Sequence, residues 1–315
     1  MSKIEADVVA LTDIGLVRKR NEDVFLVADL TTGARHEPTQ TVTLPVGGRG
    51  LILSVFDGMG GAAAGDKASR LAAETFFSRL TSASTSSGHD LARAMVEAIR
   101  DANRRVIGAA RSDPDFEGMG TTLTAAGLLD DHLALTHVGD SRAYLLRLGA
   151  FVQVTEDQSL AQDLQAKGVL TADEARRFQG QNVVLQALGV SDDVLPFAAV
   201  IRLQRGDLLL LCTDGLTNMV PRQDIIEVLT AMDDLTLAAS TLVDLARGHG
   251  GKDNITLVLA RFGGEGLVDP RAVDVRPLAP AKPPERPATP RSTIIALLIV
   301  LVLVTVINVI ILMTR

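Results

Sequence analysis

The stretch LILSVFDGMGG, residues 51–61, joins a run of apolar residues to an aspartate and a glycine-rich turn. Its first six residues are typical of a buried β-strand, and Asp57 stands where that strand ends. The arrangement recurs: Asp140 follows LALTHVG, Asp214 follows LLLLCT, and Asp253 precedes NITLVLA. Strand ends near one rim of a sheet can converge in space, so these four carboxylates are predicted to lie together.

The rest of the chain up to residue 262 is also rich in strand-like runs. They are ADVVALT, DVFLVADL, TTLTAAGLL, HLALTHVGD, RAYLLRL, FVQVT, DLLLLCTD and NITLVLARF. Helical spacing is present at residues 66–80 and 90–110, and a helical pair is plausible within residues 223–247. Strands come in adjacent groups and helices in pairs, which predicts an α+β fold without the strict alternation of parallel sheets. We expect a layered α-β-β-α sandwich of two antiparallel β-sheets flanked by pairs of helices.

A polar segment at residues 159–182 separates two strand groups. Its sequence, SLAQDLQAKGVLTADEARRFQGQN, indicates short helices. We interpret it as an inserted flap and refer to residues 159–182 as the flap.

The strand-end aspartates have two interpretations. Each is followed by a small or turn-forming residue, so each alone could accept backbone N–H bonds in a turn. Together with the acidic pair Glu22-Asp23 they would repel one another unless cations neutralised them. Oxygen ligands select hard cations such as Mg²⁺, and two such ions about 4 Å apart can activate a water as a nucleophile. That chemistry suits hydrolysis of a phosphate ester.

Six motifs with sensible separations carry a resemblance to a known family. They are RKRNED (18–23), DGMGG (57–61), GMGTT (118–122), GDSRAYLLR (139–147), CTDGL (212–216) and GGKDNIT (250–256). In this order they resemble the type 2C, or metal-dependent (PPM), serine/threonine protein phosphatases, particularly the bacterial branch. The resemblance covers about residues 6–262. It implies hydrolysis of phosphoserine and phosphothreonine on proteins, at a centre of two Mg²⁺ or Mn²⁺ ions.

The resemblance also implies roles for the metal ligands. Asp57 would bridge both ions, and the carbonyl of Gly58 would bind one of them. Asp214 and Asp253 would complete the shell of the other ion. Asp140 matches the acid that helps to bind a third, weaker metal in bacterial relatives.

Three further residues receive roles from the same resemblance. Glu22 and Asp23 would act mainly through metal-bound water. Arg18 matches the family arginine that grips the substrate phosphate, for which a guanidinium fork is well shaped. The alternative interpretation of Arg18 is a solvated surface charge in the basic run at residues 18–20.

The chain departs from the family at three places. Met59 stands where many eukaryotic relatives have a histidine that is a candidate general acid. Phe178-Gln179 replaces a frequent His-Pro pair, and DQS at residues 157–159 replaces the common DHS. These departures affect the leaving-group proton and the substrate contacts, and they leave the metal ligands intact.

Two alternatives to a general protein phosphatase remain open from sequence. One is a membrane-tethered phosphoprotein-binding module with little turnover, against which the retained Asp57, Asp214 and Asp253 argue. The other is a phosphatase dedicated to a partner-switching regulator, which only an assay of substrates would distinguish. In the leading interpretation the partners are phosphorylated proteins, among them Ser/Thr kinases and their substrates.

Charge and cysteine content exclude other classes. The net charge is −7, and residues from 263 onward carry six basic and four acidic side chains, which leaves −9 for residues 1–262. A domain this acidic is a poor nucleic-acid binder. The single cysteine, Cys212, excludes an internal disulfide and a zinc site built from cysteines.

The C-terminal sequence predicts a membrane anchor. Residues 294–313 carry no charged side chain, and about twenty residues in a helix span about 30 Å, the thickness of the bilayer hydrocarbon. Residues 263–292 are proline-rich and predict a linker between the catalytic domain (1–262) and a transmembrane helix (293–313). Basic residues immediately before the apolar run place the catalytic domain in the cytoplasm of a single-pass protein with a lipid bilayer as partner.

Overall fold

The protein is described by a computed structural model that covers residues 4–60, 64–175, 177–178, 180, 183–271 and 276–277. The helices are α1 (Ala64–Ser82), α2 (Gly88–Ser112), α3 (Leu160–Ala166), α4 (Ala172–Ala175), α5 (Asp214–Thr217), α6 (Arg222–Ala231) and α7 (Leu235–Gly248). The strands are β1 (Glu5–Asp13), β2 (Val24–Asp29), β3 (Ala34–His36), β4 (Val42–Pro45), β5 (Leu51–Phe56), β6 (Gly58–Met59), β7 (Gly120–Thr121), β8 (Leu123–Leu129), β9 (His132–Val138), β10 (Arg142–Arg147), β11 (Ala150–Gln153), β12 (Phe197–Arg202), β13 (Leu208–Cys212), β14 (Ile255–Gly263) and β15 (Arg276–Pro277).

Two antiparallel sheets form the centre of the described structure. One has the strand order β11-β10-β13-β14-β1-β4, and the other has the order β15-β12-β9-β8-β5-β2-β3. Strands β6 and β7 form a separate short ribbon. The first strand pairs with the last long strand along its whole length, from Glu5↔Gly263 to Asp13↔Ile255. The predicted α+β fold with two antiparallel sheets is confirmed.

Strand β5 shows why the deciding stretch is apolar at every position except Ser54. Ile52 and Phe56 point into the core beneath α1 and α2, whereas Leu51, Leu53 and Val55 point into the core between the two sheets. Successive side chains of a strand point to opposite faces, so a strand covered on both faces is mainly apolar instead of alternating. The run LILSVF therefore encodes a central strand of a multilayered sandwich.

Helices α1 and α2 cover the outer face of the seven-stranded sheet. Phe76 of α1 meets Phe56 edge to face, with ring centroids 6.3 Å apart. Gly127 of β8 lies under α2, and a Cβ there would stand 2.7 Å from the sulfur of Met95 and 2.8 Å from Leu91. The glycine thus lets α2 approach the sheet closely.

Helices α6 and α7 cover the six-stranded sheet, with Ile225, Leu229 and Leu242 in the third apolar layer. The predicted helices at residues 66–80 and 90–110 and the predicted pair within residues 223–247 are confirmed. Strands β3, β4 and β12 lie outside the runs that predicted strands. Strands β3 and β4 are short, and all three lie at or near the sheet edges, where fewer apolar contacts are required.

The flap is only partly within the described residues, where it contains α3 and α4. Its base is closed by antiparallel pairing, in which Leu160 donates to the carbonyl of Val183 and Ser159 pairs with Val184. Its predicted boundaries remain predictions.

Residues beyond the predicted domain end at 262 still contact the body. Leu267 is buried between the sheets, and Val268 pairs with Gln204. Among the described residues, no helix is long and apolar enough to cross a membrane. The predicted transmembrane helix at residues 293–313 and most of the predicted linker lie outside the described part of the chain.

Candidate active site

Carboxylates from both sheets meet at one edge of the sandwich. Asp57 and Asp140 follow β5 and β9 of the seven-stranded sheet, whereas Asp214 and Asp253 flank β13 and β14 of the six-stranded sheet. The electrostatic influence of Asp23, Asp140, Asp214 and Asp253 reaches Asp57. The convergence predicted from strand ends is therefore present.

The backbone of Asp57 is held by two hydrogen bonds to Thr122 of the GMGTT motif. Its backbone N–H donates to Thr122 Oγ1 at 3.0 Å, and the N–H of Thr122 donates to the Asp57 carbonyl at 2.9 Å. The next residue, Gly58, tolerates no side chain, because a Cβ there would overlap the carbonyl of Gly65 and come within 2.6 Å of the Glu22 carbonyl. Backbone atoms of neighbouring segments thus pack directly against the backbone of Gly58.

Asn254 organises the loop that carries Arg18. Its Nδ2 donates to the carbonyls of Ile14 (3.0 Å) and Arg20 (2.9 Å), and its Oδ1 accepts from the N–H of Glu22 at 2.8 Å. Asn254 is 5% exposed. It belongs to the GGKDNIT motif, but its position in that motif did not mark it as a site residue. An amide that both donates and accepts is well suited to fixing an irregular loop.

The same loop brings Arg18 to the carboxylates. Its Nη2 donates to Asp253 Oδ2 at 2.6 Å, and both side chains remain partly exposed, at 51% and 35%. Glu22 and Asp57 also face the guanidinium, and both favour its charged form. A cation at this position can take up an additional anion.

Glu22 and Asp23 point in different directions, as neighbours on an extended segment do. The carboxylate of Glu22 packs against Gly65 in the first turn of α1. Asp23 is buried, and its Oδ2 accepts from Thr213 Oγ1 at 2.9 Å, beside the strand end that carries Asp214. Both therefore lie beside the aspartate cluster.

Asp140 lies in the turn between β9 and β10 and is 8% exposed. Gly139 before it has a φ of 112°, a region that favours glycine. Ser141 after it shares a 2.8 Å hydrogen bond with Thr122, the residue that also binds the backbone of Asp57. The turn is therefore connected to the residue predicted to bridge two ions.

Burial and mutual repulsion disturb the titration of these acids. Burial and the neighbouring aspartates hold the pKa of Asp57 well above its usual value. Burial and nearby acids raise the pKa of Asp23 and of Asp140 to about 7, and they raise the pKa of Asp214 as well. For Glu22, burial is the largest cause of a raised pKa. Such a cluster is relieved by cations, and its all-oxygen donors fit Mg²⁺ or Mn²⁺.

The carboxylates do not by themselves form a complete coordination shell for a metal ion. In the portion of the chain that the structure describes, no three His, Cys, Asp or Glu side chains are arranged as a metal-binding group. Mg²⁺ commonly keeps several waters and uses few protein carboxylates. The fit to the ions therefore rests on the donor chemistry and on the raised pKa values.

Comparisons with known proteins give similar sequences. The family model described as Protein phosphatase 2C matches residues 41–245. The serine/threonine phosphatase stp of Listeria monocytogenes is 37% identical over 254 residues, which are 79% of this chain and 92% of that protein. The serine/threonine protein phosphatase PstP of Mycobacterium tuberculosis is 36% identical over 251 residues, which are 80% of this chain and 44% of that protein.

Solved structures are similar as well. The serine/threonine phosphatase of S. agalactiae superposes with a TM-score of 0.72 at 32% identity, over 84% of this chain and 100% of that one. The catalytic domain of PstP in complex with two manganese ions superposes with a TM-score of 0.68 at 32% identity, over 82% of this chain and 99% of that one.

Proposed function

Because the chain belongs to the protein phosphatase 2C family, we propose a division of its site residues between ion binding and phosphate binding. The enzyme is a metal-dependent serine/threonine protein phosphatase that uses Mg²⁺ or Mn²⁺. The observation that carries the proposed division is the meeting of Asp57 and Asp140 from one sheet with Asp214 and Asp253 from the other.

Asp57, the Gly58 carbonyl, Asp214 and Asp253 would hold two ions. Bound ions supply positive charge that neutralises the carboxylates and makes a nearby water a stronger nucleophile. Asp140, on its separate turn, would contribute to a third and weaker ion site. Two ions on four protein groups leave positions for water and for substrate oxygens.

Glu22 and Asp23 would support these ions from the next layer. The hydroxyl of Thr213 already donates to Asp23 at 2.9 Å, which orients that carboxylate beside Asp214. Partners of this kind commonly tune metal affinity without direct coordination.

Arg18 would orient the phosphoryl group. Its guanidinium lies on the exposed side of the cluster, within 2.6 Å of Asp253, where a phosphate ester arriving from solvent reaches it. A guanidinium can donate two parallel hydrogen bonds to phosphoryl oxygens while one N–H remains on Asp253. Arg18 thereby fixes the phosphorus in front of the attacking water.

Phosphorylated Ser/Thr kinases and their substrates are the proposed partners, and the acidic body makes nucleic acid an unsuitable one. We further propose the domain organisation expected from sequence, with a catalytic domain at residues 1–262, a linker at 263–292 and a transmembrane helix at 293–313. The orientation is inferred from the basic residues before the apolar run, which favour a cytoplasmic catalytic domain.

One assay tests the proposed division. The full-length chain should hydrolyse p-nitrophenyl phosphate and a phosphothreonine peptide with Mn²⁺, and EDTA should abolish both activities. Replacing Asp57 by Asn should abolish both as well, while Asp66→Asn, a change at an exposed carboxylate paired with Arg70, should preserve them. Wild-type turnover by the Asp57 variant would refute the proposed role of this residue.

A further inference from the structure

Gln158 connects the turn that carries Asp140 with the part of the chain that follows the flap. Its backbone N–H donates to the Gly139 carbonyl at 2.7 Å, and its side-chain Oε1 accepts from the Gly139 N–H at 3.1 Å. On its other side, its Nε2 donates to the Leu195 carbonyl at 2.9 Å, and its carbonyl accepts from the Leu185 N–H at 2.8 Å. One residue thus holds the turn of Asp140 and both ends of the chain that returns from the flap.

The turn held by Gln158 has little room to move. A Cβ on Gly139 would stand 2.6 Å from Thr122 Cγ2, so the two residues are in close contact. Thr122 Oγ1 shares a hydrogen bond with Ser141 on the far side of Asp140 and accepts from the N–H of Asp57. Interiors and tight backbone contacts of this kind transmit displacements and do not absorb them. A shift of Gly139 is therefore passed on to Asp140, the next residue in the chain.

The returning chain, residues 183–195, is the other end of this connection, and we name it the return segment. Helix α2 anchors its middle, because Asn103 donates to the Ser191 carbonyl at 2.8 Å and accepts from Gly189 N–H at 2.8 Å. Gln186 accepts from the N–H of Leu195 at 3.3 Å. Leu195 therefore has two glutamine partners, and Gln158 is the one that also reaches the Asp140 turn.

The outer side of the return segment is apolar and exposed. Four side chains are between 46% and 65% exposed, namely Val183, Leu185, Val190 and Leu195. The segment also adjoins the β6–β7 ribbon, since Leu188 pairs with Thr121. Strand β6 of this ribbon directly follows Asp57, so a protein bound at the site has this apolar surface available for contact, whereas a small phosphate ester is too small to use it.

We propose that Gln158 is a positioning residue that transmits the position of the return segment to Asp140 and thereby sets the affinity of the weakest metal site. This inference rests on the proposed assignment of Asp140 to a third ion. The neutral amide is suited to the role because a single side chain must accept from Gly139 and donate to Leu195 at the same time. A carboxylate would lack the donor, and a lysine would lack the acceptor.

The test compares two glutamines that share Leu195 as a partner. Full-length wild-type protein, Gln158→Met and the matched control Gln186→Met are titrated with Mn²⁺, with activity on p-nitrophenyl phosphate and on a phosphothreonine protein as one readout. Mn²⁺ binding is counted independently by electron paramagnetic resonance of the free ion, and thermal unfolding is recorded for each protein.

For Gln158→Met we expect the Mn²⁺ concentration for half-maximal activity to rise roughly tenfold, the lower end of the range for residues that orient a metal ligand. The weakest class of bound Mn²⁺ should weaken by the same factor, and turnover should return to near wild type at saturating Mn²⁺. Gln186→Met should match wild type in both titrations. In wild type, we expect the Mn²⁺ concentration for half-maximal activity to differ between the phosphothreonine protein and p-nitrophenyl phosphate, because only the protein contacts the return segment. A Gln158→Glu variant keeps the acceptor toward Gly139 and loses the donor toward Leu195, so it should lose this difference.

Equal Mn²⁺ titrations for Gln158→Met and Gln186→Met would overturn the inference, as would lower turnover that Mn²⁺ cannot restore. Asp140→Ala is measured in parallel. A shifted Mn²⁺ requirement in Asp140→Ala together with an unshifted one in Gln158→Met would reject the role of Gln158 alone. Wild-type Mn²⁺ dependence in Asp140→Ala would reject the assignment of Asp140 and this inference with it.

Discussion

Arg18 and Asp253 are separated by 235 positions in the chain, yet Arg18 Nη2 and Asp253 Oδ2 lie 2.6 Å apart. Asn254 makes this contact possible, because it binds the backbone on both sides of Arg18. The guanidinium is thus held in place by the strand end that also carries a proposed metal ligand. Phosphate binding and ion binding are expected to be linked through this pair.

Arg18→Ala is expected to raise KM for p-nitrophenyl phosphate more than it lowers kcat. A guanidinium that grips the ground-state phosphate contributes binding that is equal in the ground and transition states, and its loss appears in KM. The expected rise is about tenfold to a hundredfold, equivalent to about 1.5–3 kcal/mol for a charged hydrogen bond. Initial-rate kinetics at saturating Mn²⁺ measure this. Lys19→Ala, an exposed cation on the same loop, is the control, and an unchanged KM with a lower kcat in Arg18→Ala would assign Arg18 to the transition state.

Asp57→Asn is expected to separate activity from stability. Turnover should fall by about three orders of magnitude or more, because a carboxylate shared by two ions is lost. The melting temperature without metal should rise, because burial and then repulsion from the neighbouring aspartates raise the pKa of Asp57, and the neutral amide removes the charge that both disfavour. Calorimetric melting in EDTA, with Asp66→Asn as the control, measures the second effect. A lower melting temperature would mean that the carboxylate is a structural turn residue.

Arg147→Met is expected to destabilise the protein by about 3–5 kcal/mol, since it leaves the buried carboxylate of Asp207 without its cation. Arg147 Nε and Nη2 donate to Asp207 at 2.7 and 2.6 Å, and the two side chains are 2% and 0% exposed. Urea unfolding measures the loss. Arg93→Met, which breaks the exposed pair with Asp90, should change the free energy of unfolding by less than about 1 kcal/mol. Equal effects would contradict the burial argument.

His137 is expected to make stability depend on pH below neutrality. Burial lowers the pKa of His137 to about 4, and its Nδ1 is bonded to Thr124 at 2.8 Å. The unfolded chain binds a proton at this residue below about pH 6.5, whereas the folded chain does so only near pH 4, so stability falls as the pH drops between those values. The free energy of unfolding of wild type should therefore decline more steeply over this window than that of His137→Gln. Parallel slopes in urea unfolding would show that His137 does not titrate as argued.

Deletion of residues 293–315 is expected to move the protein from the membrane fraction to the soluble fraction, because it removes the only uncharged run long enough to span a bilayer. Hydrolysis of p-nitrophenyl phosphate should persist, because Arg18 and the proposed metal ligands all precede residue 263. Fractionation of lysates without detergent measures the first effect. Full-length protein in the soluble fraction would contradict the anchor.

The layers of the sandwich could be predicted because each strand or helix has its own apolar pattern. The run LILSVF is apolar on both faces, and α1 and α2 carry apolar residues at helical spacing. Strand β12 was missed because FAAVIR contains two alanines, a residue type that is depleted in strands. Its position follows from pairing with β9, which is not visible locally.

The location of the site and its acidic residues could be predicted from the sequence. Strand ends and motif order indicated where Asp57, Asp214 and Asp253 would meet. The contacts of Asn254 and Gln158 could not be derived, because both bind backbone groups that no side-chain pattern identifies. Hydrogen bonds to a backbone at large sequence separation depend on the folded arrangement, which the local sequence does not encode.

The pairing of β1 with β14 has a consequence for the order of events during synthesis. Strand β1 leaves the ribosome first, but its long partner emerges only after roughly 240 further residues, which takes about 12–48 s at typical rates of translation. During that interval β1 can pair with the short β4 along one edge, its other edge has no partner, and the six-stranded sheet is incomplete. The six-stranded sheet is therefore completed only late in synthesis. A nascent chain that stalls before residue 255 has no route to the folded enzyme. A chaperone that covers residues 5–13 through this interval would protect a strand whose partner has yet to be made.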